Sequence, residues 1–97
     1  MRDEKFIIIC YDISNNKRRT RIAKILEDYG IRVQYSVFEC VLSNTLLDEL
    51  KMRIMDFVEE EDKDKVHFYY LCNNCVNKIE IWGGEEREEE EVDCYVV

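Results

Sequence analysis

The chain has 97 residues and carries 14 Lys and Arg against 22 Asp and Glu, a formal net charge of −8. This length allows one domain with one hydrophobic core and excludes a second. The longest apolar runs are far shorter than the ~20 residues of a transmembrane helix, and the first residues lack the pattern of a signal peptide. We therefore expect a cytoplasmic protein with no membrane partner.

The charge is distributed unevenly along the chain. Residues 1–36 hold eight basic and five acidic side chains, whereas residues 85–97 hold one and seven. Local fields decide where a polyanion docks, so the acidic total does not exclude a nucleic-acid partner.

The cysteines and the single histidine argue against several kinds of site. Five cysteines, an odd number, without an export signal favour reduced thiols over disulfides. The pair Cys72-x-x-Cys75 falls short of a zinc site, because a structural zinc needs four N or S ligands and His67 is the only histidine. One histidine also supplies no Ser-His-Asp set, and three glycines supply no phosphate loop.

The first element is an unbroken apolar run from Phe6 to Tyr11 that ends at Asp12. Its β-branched residues favour a strand, and the lack of alternation indicates burial on both faces. A carboxylate at the end of a rigid strand is well placed to bind a metal or accept a proton. The alternative is that Asp12 caps the turn that follows.

An apolar stripe at helical spacing then predicts a helix over residues 16–29, with Gly30 as its left-handed C-terminal cap. Its first two turns are rich in Lys and Arg, the unfavourable end for the helix dipole. That cost favours an anionic ligand across this helix, and the alternative is a solvated basic face.

The remaining elements follow in order. Residues 31–42 read as two short strands with a reversal near Tyr35-Ser36, because twelve residues exceed the usual strand length of roughly 5–6. A second helix opens near residue 43, with Thr45 and Asp48 in the spacing of a capping box. Strands are predicted over residues 66–71 and, after a Cys72–Cys75 turn, over residues 76–82.

The order of elements predicts an α+β fold, the ferredoxin-like βαββαβ sandwich, with an extra C-terminal strand. Residues 1–84 would form this domain, and residues 85–97 an acidic linker and a terminal strand that docks on a sheet edge of the partner subunit. One face of the sheet would stay apolar, so we expect a homodimer.

Several motifs together closely resemble a known family. Tyr11-Asp12-Ile13, Lys17-Arg18-Arg19 with Arg21, residues 32–39 (RVQYSVFE) and Tyr70-x-Cys72-x-x-Cys75 are similar, at matching spacing, to the small CRISPR-associated adaptation protein, the second core member of that system. The resemblance covers nearly the whole chain. It implies a dimer in a bacterial or archaeal cytoplasm that supports duplex DNA for the CRISPR integrase during spacer acquisition in antiviral defence.

The resemblance also implies roles for particular residues. Asp12 would be the metal-binding and, in a nuclease, the catalytic carboxylate, with Mg²⁺ or Mn²⁺ shared between the two Asp12 of a dimer. The residues that contact nucleic acid would be Arg18, Arg19, Arg21 and Arg32. The supporting aromatic side chains would be Tyr11 and Phe38.

Some members of the family cleave RNA or duplex DNA and others serve as scaffolds. We expect mainly a scaffold, because no second carboxylate or general base is evident. A toxin-like endoribonuclease of the same fold is the alternative.

Overall fold

The computed structural model describes residues 4–83, and the predicted linker and terminal strand lie outside them. The elements in chain order are β1 (Lys5–Asp12), α1 (Asn16–Glu27), β2 (Gly30–Gln34), β3 (Val37–Leu42), α2 (Asn44–Met55), a 3-10 turn (Glu60–Asp62), β4 (Lys65–Leu71) and α3 (Asn73–Val76). The strands form one antiparallel sheet in the order β2-β3-β1-β4. The ferredoxin-like arrangement is thereby confirmed, as is the reversal at residues 35–36.

One face of the sheet is covered by α1 and α2 and forms the core. Side chains alternate along each strand, so Ile7, Ile9 and Tyr11 of β1 turn to this face and are buried. Opposite Ile9 stands Phe38 of β3, which is also fully buried. The helices close the layer with their apolar stripes, chiefly Ile22, Ala23, Ile25, Leu26, Leu47, Leu50 and Ile54.

The other face, here called the open face, is turned away from the helices and is mostly apolar. By strand alternation it carries Phe6, Ile8, Cys10 and Asp12 of β1, Ile31 and Val33 of β2, Val37, Glu39 and Val41 of β3, and Lys65, His67, Tyr69 and Leu71 of β4. Val41 and Tyr69 are 43% and 51% exposed. The first strand is thus apolar on both faces, as predicted. On its open face Phe6 is buried, whereas Ile8 and Cys10 are partly exposed.

Gly30 does not cap α1, contrary to the prediction. The helix ends at Glu27 with Asp28 as its C-terminal cap, and Gly30 is the first residue of β2. A Cβ at Gly30 would lie 2.4 Å from the Cys40 sulfur and 2.4 Å from the Glu39 carbonyl oxygen. Glycine is therefore required by the close approach of β3 and not by a left-handed turn.

The predicted capping box of the second helix is also wrong. Ser43 is the N-cap, and its hydroxyl accepts a hydrogen bond from the backbone N–H of Leu46 at 3.2 Å. The helix therefore begins at Asn44, earlier than a cap at Thr45 would allow.

The strand predicted over residues 76–82 is absent from the described part of the chain. A single helical turn, α3, follows β4 directly, and the Cys72 carbonyl accepts the Val76 N–H at 3.0 Å. The next bond joins the Asn77 N–H to the Asn73 carbonyl. Local bonds thus satisfy the backbone that a hairpin would have paired with β4.

Candidate nucleic-acid interface

Asp12 ends β1 on the open face, and its side chain is exposed. Within residues 4–83 its carboxylate makes no hydrogen bond or ion pair. Its cross-strand neighbour is Lys65, which was not predicted as a site residue. Directly paired side chains have Cβ atoms ~4.5–5.5 Å apart, so the ammonium group is the nearest charged group that the sheet register supplies. Lys65 is identified as a neighbour of Asp12 only by the antiparallel pairing of β4 with β1 in the structure.

His67 is a second open-face side chain near Asp12. It pairs with Cys10, one position along the strand face from Asp12, and its Nδ1 lies 3.1 Å from the Tyr69 hydroxyl. Diagonal neighbours in a sheet are ~7–8 Å apart. The histidine is therefore on the same face as the carboxylate but outside direct contact, a placement that its strand position alone did not reveal.

Arg32, Tyr11 and Phe38 form one cluster on the helix side of the sheet. Arg32 donates from Nη2 to the Tyr35 carbonyl at 2.8 Å and to the Tyr11 hydroxyl at 3.4 Å. Its guanidinium lies 5.5 Å from the Phe38 ring centroid, and Tyr11 donates to the same Tyr35 carbonyl at 3.2 Å. The cluster fixes the β2–β3 turn, and Phe38 is a core residue, while the carboxylate of Asp12 points to the opposite face.

Arg19 holds the turn that follows Asp12. Its Nη1 donates to the carbonyls of Ile13 at 2.8 Å and Ser14 at 3.2 Å, and its Nη2 donates to the Asn16 side chain. Most of its hydrogen-bonding capacity is spent on the chain itself. Arg19 therefore positions the β1–α1 turn, which keeps Asp12 next to the start of the basic helix.

Arg18 forms ion pairs with two carboxylates, Asp62 and Asp64. Its Nε and Nη2 donate to Oδ2 of Asp64 at 3.1 and 3.0 Å, and Nη2 also donates to Asp62 at 2.8 Å. The hydrogen bond to Asp62, followed by the contact with Asp64, raises the pKa of the Arg18 guanidinium. This contact ties α1 to the segment before β4, so we assign Arg18 a structural role.

The α1 cations left available for a ligand lie at i, i+4 and i+7 on the outer face of the helix: Lys17, Arg21 and Lys24, here called the basic stripe. All three are exposed and form no hydrogen bond or ion pair within residues 4–83. With Arg18, Thr20 and Phe57 they line a surface cavity of about 480 Å³. Arg21 lies over the Phe57 ring at 5.2 Å, which orients its guanidinium. Lys17 and Lys24 were not predicted as site residues, but their helical spacing from Arg21 in the sequence could have identified them.

The described residues of one chain do not provide enough ligands to bind a divalent metal ion. Across the described residues 4–83, no three His, Cys, Asp or Glu side chains gather into a group that could hold a metal ion. Asp12 is a single carboxylate with an ammonium group across the strand pair. Mg²⁺ takes one or two carboxylates with water and phosphate, so the donor set fits only if a second Asp12 contributes.

The fold and site define a class: a small ferredoxin-like domain with a carboxylate at the end of its first strand and a basic helix beside it. A family model described as CRISPR associated protein Cas2 matches residues 5–79. The CRISPR-associated endoribonuclease Cas2 1 of Chloroflexus aurantiacus is 40% identical over 92 residues, which cover 95% of this chain and 99% of the relative. The chain therefore belongs to the Cas2 family.

Solved structures agree with this assignment. The crystal structure of Streptococcus pyogenes Cas2 superposes with a TM-score of 0.70 at 32% identity, covering 80% of this chain and 99% of that chain. A chain of a partial Cas6-RT-Cas1–Cas2 complex gives a TM-score of 0.68 at 28% identity, over 79% and 83% of the two chains. The resemblance inferred from the motifs is thus confirmed, and the toxin-like alternative loses its support.

The family agrees with the expected cytoplasmic location in a bacterium or archaeon.

Within residues 4–83, no helix is long and apolar enough to cross a bilayer.

Proposed function

We propose that this protein is a dimeric, duplex-DNA-binding scaffold of the CRISPR integrase, acting in spacer acquisition. The observation that carries the proposal is the basic stripe, three exposed cations at helical spacing on an otherwise acidic chain. Such side chains neutralise phosphates along a duplex and read no sequence. A scaffold that must accept any spacer needs this kind of contact.

The open face supports the dimer. Apart from the buried Phe6, its apolar side chains are partly exposed in a single chain, and Val41 and Tyr69 are the most exposed at 43% and 51%. Contiguous apolar surface of this kind marks an interface. Pairing two copies face to face would bury it and bring the two Asp12 ends of β1 toward each other.

The terminal residues 92–97 (VDCYVV) are proposed to extend the partner's sheet. The acceptor is β4, which stands at the end of the strand order and pairs only with β1 in the described sheet. A seven-residue edge strand accommodates a six-residue, mostly apolar segment as an added strand.

Integrase docking is supported by the likeness to a chain of the Cas1–Cas2-containing complex. The fold is kept at 28% identity, and the interface backbone of a pre-organised protein moves little on binding. We therefore expect this chain to present a similar docking surface.

A second candidate activity is RNA or DNA cleavage with Mg²⁺ or Mn²⁺, and the exposed Asp12 favours it. A relative at 40% identity carries the name endoribonuclease. A metal between two Asp12 carboxylates would supply charge neutralisation at a phosphodiester. The neighbouring Lys65 and the distance of His67 argue against efficient cleavage, because a second cation beside Asp12 disfavours a bound metal ion and the imidazole lies outside direct contact with the carboxylate.

The test is duplex binding measured by fluorescence anisotropy over a series of salt concentrations. Replacing Lys17, Arg21 and Lys24 by Ala should weaken binding equally for unrelated sequences and flatten the salt dependence by about 0.9 for each phosphate that is no longer neutralised. The control replaces two exposed cations outside the stripe, Lys5 at the start of β1 and Lys78 after α3, and should change neither quantity. An unchanged salt slope in the triple variant would refute the assignment of the stripe.

A further inference from the structure

Two thiols stand together at the surface where β4 ends. Cys72 precedes α3 and Cys75 lies within it, and their sulfur atoms are 3.5 Å apart. Both side chains are exposed. A three-residue spacing places both on one side of the helical turn, which explains their contact. This geometry differs from the hairpin turn expected from the sequence, in which the two thiols had no defined relation.

The two thiols differ in chemical character. The pKa of Cys72 is lowered, first by the backbone N–H of Cys75 and then by the Cys75 thiol. The pKa of Cys75 is raised, first by its hydrogen bond with the Cys72 thiol and then by the charge of the Cys72 thiolate. Cys72 is therefore the better thiolate and Cys75 keeps its proton, the division of roles that thiol–disulfide exchange uses.

The other described cysteines lack this character. Cys40 is buried under the helices, and burial raises the pKa of its thiol to about 12. Cys10 stands on the open face of β1, in the register opposite His67. Neither has a second thiol beside it in the structure of residues 4–83.

We propose that Cys72 and Cys75 form a reversible dithiol–disulfide couple that exchanges with low-molecular-weight disulfides such as oxidised glutathione. The Cys72 thiolate attacks one sulfur of the disulfide, forming a mixed disulfide and releasing one thiolate. Cys75 then loses its proton and attacks the Cys72 sulfur, which releases the second thiolate. Two protein thiols are oxidised to one disulfide, and one glutathione disulfide is reduced to two glutathione thiols.

The geometry supports ready closure and ready reopening. Bonded sulfurs are ~2.0 Å apart, so the 3.5 Å contact closes by side-chain rotation within a single turn. The loop it closes is very short, and short loops gain little stability from a cross-link. Exposed, weakly stabilising disulfides are the labile ones, so the resting state in a reducing cytoplasm is the dithiol.

The couple is remote from Asp12. Leu71, next to Cys72, pairs with Phe6, whereas Asp12 pairs with Lys65 at the other end of the same strands. Six residues of strand separate these positions by about 20 Å. It also shares no residue with the basic stripe, so it is independent of the proposed function.

The full-length protein should be equilibrated anaerobically in glutathione buffers of increasing oxidised fraction, alkylated with N-ethylmaleimide and mapped by mass spectrometry. We expect a peptide with a Cys72–Cys75 disulfide that appears as a two-electron transition and disappears with dithiothreitol, while Cys10 and Cys40 form no disulfide. Cys75→Ser should accumulate the mixed disulfide on Cys72. Cys72→Ser should react with oxidised glutathione roughly tenfold more slowly than wild type.

A Cys94→Ser variant removes the remaining thiol as a competing partner and should behave as wild type. Full alkylation of Cys72 and Cys75 in oxidised glutathione alone would overturn the inference. So would a disulfide to Cys94 or between two chains, or a mixed disulfide in wild type that never resolves.

Discussion

Arg18 of α1 donates from Nε and Nη2 to one oxygen of Asp64, a carboxylate whose side chain is completely buried. The same oxygen accepts the backbone N–H of Glu59 at 2.8 Å. The two residues are 46 positions apart, so the pair joins the start of the basic helix to the segment that leads into β4.

Replacing Arg18 by Ala should lower the midpoint of thermal unfolding by several degrees. The substitution removes the partner of a buried carboxylate, which is the costly way to break an ion pair. Calorimetry or circular dichroism measures the shift. Lys17→Ala is the matched control, because Lys17 is the neighbouring exposed cation and forms no ion pair within the described chain. Equal midpoints for Arg18→Ala and wild type would contradict the structural role.

The open face should mediate dimerisation. Val41→Asp places a charge on this face and should shift the dimer toward monomer, because an unpaired charge is costly to bury. Deleting residues 92–97 should weaken association as well. Sedimentation velocity at micromolar concentration reads out both effects.

Met52→Asp serves as the control for this prediction, since Met52 is 68% exposed on α2, in the other layer. It should leave the association unchanged. A wild-type protein that sediments as an 11.8 kDa monomer would refute the dimer itself.

Cys40 should make stability depend on pH in the alkaline range. Burial raises the pKa of its thiol from 9.0 to about 12, so above pH 9 the unfolded chain releases a proton that the folded chain retains. The contribution is fully present below pH 9 and declines between pH 9 and 12, by about 1.4 kcal/mol per pH unit.

The measurement is the difference in unfolding free energy between wild type and Cys40→Ala, from urea titrations at several pH values. Taking the difference removes the tyrosines and lysines that titrate in the same range. A difference that stays constant from pH 9 to 11 would show that the thiol ionises as readily in the folded chain as in the unfolded one.

The sequence predicted the fold well because local signals agreed with the global topology. Two apolar helical stripes, short strands and a reversal at Tyr35-Ser36 are sufficient to define the βαββαβ order. The errors have physical causes. Gly30 is set by contact with β3, and α3 by two local backbone bonds that compete with a hairpin.

The candidate site was less predictable, because neighbouring cations in one run have different partners. Arg18 and Arg19 are adjacent in sequence, yet one binds a buried aspartate far along the chain and the other binds the preceding turn. The local sequence pattern does not reveal such long-range partners. The register that sets Lys65 beside Asp12 likewise exists only once β4 has paired with β1.

The most direct test of the scaffold function is spacer integration by the complete integrase complex, with Asp12→Asn compared with wild type. Cleavage of RNA and DNA with Mg²⁺ or Mn²⁺ is measured in parallel on the same preparations. A scaffold that binds DNA through the basic stripe does not need the carboxylate, so Asp12→Asn should integrate spacers at the wild-type rate. Loss of integration together with loss of a robust metal-dependent cleavage would contradict the scaffold account and identify the protein as a nuclease.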